Sequence, residues 1–141
     1  MRIDLKEDEL IKTYIDTEIP VMIHSWLREP SEAEFKAGLI ELQKVYLEQK
    51  KAYENLKWLA DTKLLGQRTY EEEQWLEQVW EQLLFGEAGV KVHAVILGDD
   101  IFADYSMEKF KSLAAKKHQE NGVELGVFLN GENAMSWLKE R

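Results

Sequence analysis

The sequence predicts one α/β domain in the order ββαβαβαβα: a mostly parallel central sheet led by an antiparallel hairpin and flanked by helices. Three observations predict it. Short runs of apolar and β-branched residues alternate with longer stretches of helical spacing. Ser31 and Thr69 each stand where a capping box would open such a helical stretch. Asn and Gly pairs punctuate the later segments, as turns and helix stops require. Strands alternating with helices imply parallel crossovers in a layered domain.

The first two strands are read at Leu10 to Ile15 and Val21 to Leu27, with Asp16 to Pro20 as the turn between them. Pro30 closes the second, because it cannot donate to a ladder. Ser31-Glu32-Ala33-Glu34 then caps a long helix carrying Phe35, Leu39, Leu42, Tyr46 and Tyr53, with its end expected near Glu54–Asn55. Leu56 to Ala60 is a short apolar run, read as a buried strand that stops at Asp61–Thr62. After the loop KLLGQR, Thr69-Tyr70-Glu71-Glu72 opens a second helix bearing Trp75, Leu76, Val79, Trp80, Leu83 and Leu84. Gly86 and Gly89 end it. Val92 to Leu97 is almost wholly apolar, as a strand covered on both faces would be. Gly98-Asp99-Asp100 breaks it, and Ser106 caps a helix with Met107, Phe110, Leu113 and Ala114. Asn121–Gly122 stops that helix, Val123 to Leu129 forms the last strand, and Asn130–Gly131 leads into a final helix with Ala134, Trp137 and Leu138. No repeat or linker divides residues 1–141.

A chain of 141 residues with 45% hydrophobic content can bury a core of its own; roughly 70% of the unfolded surface is covered at this size. There is no cysteine. That excludes a disulfide framework, thiolate metal sites and a cysteine nucleophile, and it fits a reducing, cytoplasmic setting. No apolar window approaches the roughly 18 to 20 residues of a membrane span. The opening MRIDLKEDEL carries acids where a signal peptide would have a basic and then an apolar region. The net charge of −9 removes the usual driver of nucleic-acid affinity. The basic pairs Lys50–Lys51 and Lys116–Lys117 sit beside Glu or Gln on helix faces.

Catalytic motifs are missing: there is no GxSxG elbow, HExxH, P-loop or GxGxxG. His24, His93 and His118 show no ligand spacing; the first two fall in strands and the third on a charged helix end. In an open parallel sheet, ligands favour the carboxyl ends of the strands. Asp61, Thr62, Asp99, Asp100, Asn130 and Gly131 fall there. Carboxylates at that edge could hold Mg²⁺ or Ca²⁺, but Asp and Asn are also ordinary turn and cap residues. The turn reading is the expectation, with no cofactor and no metal. Of the five tryptophans, Trp58 and Trp137 are read as core. Trp75 and Trp80 are five apart, about 140° around an α-helix, so they do not share one narrow stripe. One of the two, with Tyr70 or Leu84, is therefore the candidate surface for a partner or an apolar ligand, so that Tyr70, Trp75, Trp80 and Leu84 are the candidates; core or rim packing of the tryptophans is the expectation.

The order resembles the small bacterial STAS-type proteins, in particular the single-domain SpoIIAA-like branch of the anti-sigma-factor antagonist superfamily. The residues that carry the resemblance run from His24-Ser25-Trp26 through Lys57-Trp58-Leu59-Ala60-Asp61 to Glu73-Gln74-Trp75 with Trp80. They continue with Val92-His93-Ala94-Val95-Ile96, Asp100-Ile101-Phe102, Phe128, Ala134 and Trp137-Leu138. The resemblance implies a SpoIIAA-like fold. In the antagonists of that superfamily a Ser after an Asp, just beyond the third strand, is phosphorylated by a partner kinase. Asp61-Thr62 is the matching stretch, with Thr62 as the candidate acceptor, but the Ser-Ser-Gly pattern is absent and the following loop is longer.

The expected function is a non-enzymatic binding or regulatory module that acts through protein contacts, as a homodimer or with another protein. The alternative is an apolar small-molecule or lipid-binding protein, since the resemblance extends in general shape to the CRAL-TRIO fold. An enzyme using the acidic edge is the third reading.

Overall fold

The computed structural model describes residues 1–98, 116 and 118–141. Among these, six strands form one sheet in the sequential order β1-β2-β3-β4-β5-β6. They are β1 (Arg2–Glu7), β2 (Ile11–Asp16), β3 (Val21–Trp26), β4 (Lys57–Asp61), β5 (Val92–Ile96) and β6 (Glu124–Phe128). The first three pair antiparallel and β3 to β6 pair parallel. The α/β class, the hairpin of β2 and β3 and the parallel remainder follow the sequence reading. The helix expected after Ser106 lies outside the described residues.

Strand β1 was not expected. Its sequence RIDLKE leaves only Leu5 partly buried, so it offers no burial pattern to read. What forms it is backbone pairing with β2, with a register shift between Asp4 and Lys6. Charges and a bulge are also how an edge strand avoids pairing with other chains.

Helix α1 (Glu32–Lys50) begins with the full capping box on Ser31: the hydroxyl accepts from Glu34 N, and the Glu34 carboxylate accepts from Ser31 N. It ends before Glu54–Asn55, and Lys50 Nζ reaches across to donate to the carbonyls of Ala88 and Gly89. The second helix, α2, starts on the Thr69 box as Tyr70–Trp75 and continues as two π-helical stretches, Leu76–Trp80 and Gln82–Glu87. Gly89, at φ +66°, takes the left-handed conformation beyond its end. Helix α3 (Gly131–Lys139) is capped by Asn130, whose side chain accepts from Asn133 N.

Alternation along the strands sorts side chains between two faces. Ile11, Ile15, Met22, Trp26 and Trp58 meet Phe35, Leu39, Leu42 and Tyr46 of α1 and Leu84 of α2. Val21, Ile23, Leu59, Ala94 and Ile96 meet Ala134 and Leu138 of α3 on the other face. Gly126 lets α3 approach closely, because a Cβ there would come within about 3.0 Å of the Phe128 and Trp137 rings.

Candidate functional site

The parallel strands end together. Ser25 stands opposite Asp61, Asp61 opposite Ile96, and Ile96 opposite Phe128. The polar side chains at this edge are used by the chain itself. Ser25 Oγ donates to Asp61 Oδ2 at 3.4 Å, and Lys63 N donates to Asp61 Oδ1 at 3.2 Å. Thr62 bonds to the Ile96 carbonyl twice, through its backbone N–H at 2.9 Å and its hydroxyl at 2.6 Å. That ties β4's exit to β5 and commits the hydroxyl as a donor. Asn130 is spent on capping α3. Asp99 and Asp100 lie outside the described residues. Among the described residues no group of three or more His, Asp or Glu side chains is arranged to hold a metal ion.

Apolar side chains do the opposite and stand out from this edge. Leu27 follows β3 by one residue, Leu64 follows β4 by three, and Leu129 follows β6 by one; they are 38%, 58% and 52% exposed. Tyr70, at the start of α2, is 69% exposed. The β4–α2 loop that presents Leu64 and Tyr70 is pinned from inside. Arg68 ion-pairs with the buried Glu72 at 2.9 Å, donates to the Pro30 carbonyl at 3.2 Å and lies over the Phe35 ring. The same Glu72 accepts from Thr69 N to close the capping box.

Trp75 and Trp80 both reach the core on the α1 side and both remain partly exposed. Trp75 meets the edge of Phe35, and Trp80 the edge of Trp58 at 5.7 Å. The separation expected from α-helical geometry fails for a physical reason. Glu81 N bonds to the Leu76 carbonyl and Ala88 N to that of Leu83, so α2 closes i→i+5 turns. Residues five apart then come round to one side. Leu84 is buried, so of the four candidates only Tyr70 is freely presented.

The histidines, unrelated in sequence, are brought into one aromatic layer on that side. Trp58 Nε1 donates to His24 Nδ1 at 2.8 Å. Tyr46 stacks on the Trp58 indole at 4.9 Å, and His93 meets its edge at 6.4 Å. His93 Nδ1 lies 2.9 Å from Nε2 of His118, with the two rings stacked and Phe85 against His118. His118 does lie at a helix end, but its side chain is buried there. Burial drives the His24 pKa down to about 3 and leaves a neutral ring, as an acceptor for Trp58 requires. Burial, and then the proximity of His118 and His24, hold His93 well below the ordinary range. Tyr46 donates its hydroxyl to the Leu56 carbonyl, and burial raises its pKa to about 12. These groups act as internal hydrogen-bond partners. Spacing along the chain carried no signal for them, since 34 residues separate His24 from Trp58.

No helix among the described residues is long and apolar enough to cross a membrane. No family model, no curated protein and no solved structure matches this chain.

Proposed function

We propose that the chain is a non-enzymatic, STAS-type binding module that works through protein contacts at the carboxyl-terminal edge of its parallel strands, with a second copy of itself as partner. One observation carries the reading. At the edge where open α/β sheets present their binding residues, Asp61 and Thr62 are engaged in turns while Leu27, Leu64, Tyr70 and Leu129 are exposed. With strands about 4.8 Å apart, β3 and β6 set these side chains across about 14 Å. A clustered apolar edge of this kind is what contact between proteins uses. A twofold contact needs only one such patch, because the same surface serves both subunits. The sequential parallel strands behind an antiparallel hairpin support the STAS-type reading of the fold.

Light scattering on a size-exclusion column tests it. The mass is expected to rise from that of the 16.5 kDa chain toward twice that value as concentration increases. A strict monomer at high concentration overturns the reading.

A further inference from the structure

A groove of about 420 Å³ separates the β1–β2 hairpin from α1. That volume is within the usual range for small-molecule sites. Its apolar wall is formed by Leu10, Ile11, Leu42 and Val45. Thr13 breaks the pattern. It is the only polar residue among the three of β2 that face α1, between Ile11 and Ile15, and it is 98% buried by its 2% exposure.

The described residues give the Thr13 hydroxyl no hydrogen-bond partner, yet no fully enclosed side-chain polar atom is left unpaired. Its oxygen therefore retains an opening, and the residue lines the groove. An aliphatic side chain would fill that position without the cost of an unpaired hydroxyl. Lys6 is the cross-strand neighbour of Thr13. Its ammonium reaches Glu41 of α1 at 3.6 Å, in an exposed pair of the weak kind. Thr13, Lys6 and Glu41 thus bring polar groups of β2, β1 and α1 to the same groove as the apolar wall.

The charges around the groove select a sign. Asp8, Glu34 and Glu41 line it with Lys6; Lys6 pairs with Glu41 and Arg28 pairs with Glu34 from beside the groove, which leaves the Asp8 carboxylate as the uncompensated charge. The Arg28 side chain and the Ser31 amide hold the Glu34 pKa at about 2, and the Ile11 and Leu10 amides lower that of Asp8. Both carboxylates stay ionised at neutral pH. An anion entering the groove meets net repulsion and a cation meets attraction.

We propose that this groove binds a small aliphatic primary amine. The ammonium lies between the Thr13 hydroxyl and the Glu41 carboxylate, taking the place of Lys6, and the hydrocarbon chain lies along Leu10, Ile11, Leu42 and Val45. The site is separate from the strand-end edge and stands or falls independently of the protein-contact reading.

The test is a titration of the ¹⁵N-labelled full chain with n-hexylamine, followed by amide chemical shifts, with hexanoate as the control of opposite charge. Saturable shifts are expected at Ile11, Thr13 and Gly38 with hexylamine and not with hexanoate. Ala37→Trp, at an exposed α1 position on the groove, fills the space and abolishes them. Thr13→Val keeps the shape, loses one hydrogen bond and weakens binding by about tenfold. Shifts that do not saturate at millimolar amine overturn the proposal. So do equal binding of hexanoate and shifts unaffected by Ala37→Trp.

Discussion

The two ends of the parallel sheet solve the same problem with different residues. At the amino ends of β4, β5 and β6 the exposed residues are polar: Glu54, Asn55, Lys91 and Asn121. Two lysines there turn inward. Lys57 donates to the Ile19 carbonyl, and Lys50 to the last carbonyls beyond α2, where the helix dipole also favours a cation. At the carboxyl ends Asp61, Thr62 and Asn130 satisfy the turns, and then leucines and a tyrosine are placed outside them. Turn chemistry alone does not call for exposed leucine. The difference separates an end built for closure from an end with surplus apolar surface.

Acid is expected to have the largest effect, because it acts on the interior that both ends share. The folded pKa of His24 lies near 3, against about 6.5 for an ordinary histidine. Its contribution is fully present above pH 6.5 and is lost as pH falls toward 3, since only the unfolded chain takes up the proton there. At pH 5 the loss is on the order of 2 kcal/mol, and the lowered pKa of His93 acts in the same direction. Urea melts across this range should show the fall, and His24→Gln should make it shallower. An acid limb unchanged by His24→Gln would remove this account of the buried ring.

At the amino end, Lys50→Met deletes two hydrogen bonds to carbonyls and should cost about 1 to 3 kcal/mol in chemical denaturation. At the carboxyl end, Thr62→Val deletes the hydroxyl's bond to the Ile96 carbonyl and keeps the backbone one, and should cost about 1 kcal/mol. Thr62→Ser retains the hydroxyl and should recover most of that loss. If Val and Ser variants are equally stable, the Thr62 hydroxyl adds nothing to the backbone tie between β4 and β5, and it is available for other chemistry.

What was legible in the sequence was whatever leaves a local mark. Both capping boxes were written in four residues each, and β3 to β6 announced themselves by apolar runs. Strand β1 left no mark because it is held by backbone pairing and buries almost nothing. Trp75 and Trp80 were set apart by the α-helical period, which the i→i+5 turns of α2 replace; an amphipathic pattern does not reveal a locally wider helix. The histidine layer was invisible for a third reason. Its contacts join residues from α1, β3, β4, β5 and the segment before β6, and burial of this kind depends on topology. At the strand ends, Asp61 and Thr62 were found from the sequence, but which of their atoms were already engaged was not.

The smallest change in stability should come from the residues that matter most to the proposal. Leu64→Glu with Leu129→Glu alters exposed side chains, and such substitutions shift stability by at most about 0.5 kcal/mol. Sedimentation equilibrium of this double variant, beside the wild type and an amino-end control Lys91→Glu, tests the central claim most directly. The account predicts a concentration-dependent dimer for the wild type and for Lys91→Glu, and a monomer for the leucine variant, whose melting temperature equals that of the wild type at dilutions where the wild type is itself monomeric. A leucine variant that dimerises as tightly as the wild type would contradict it.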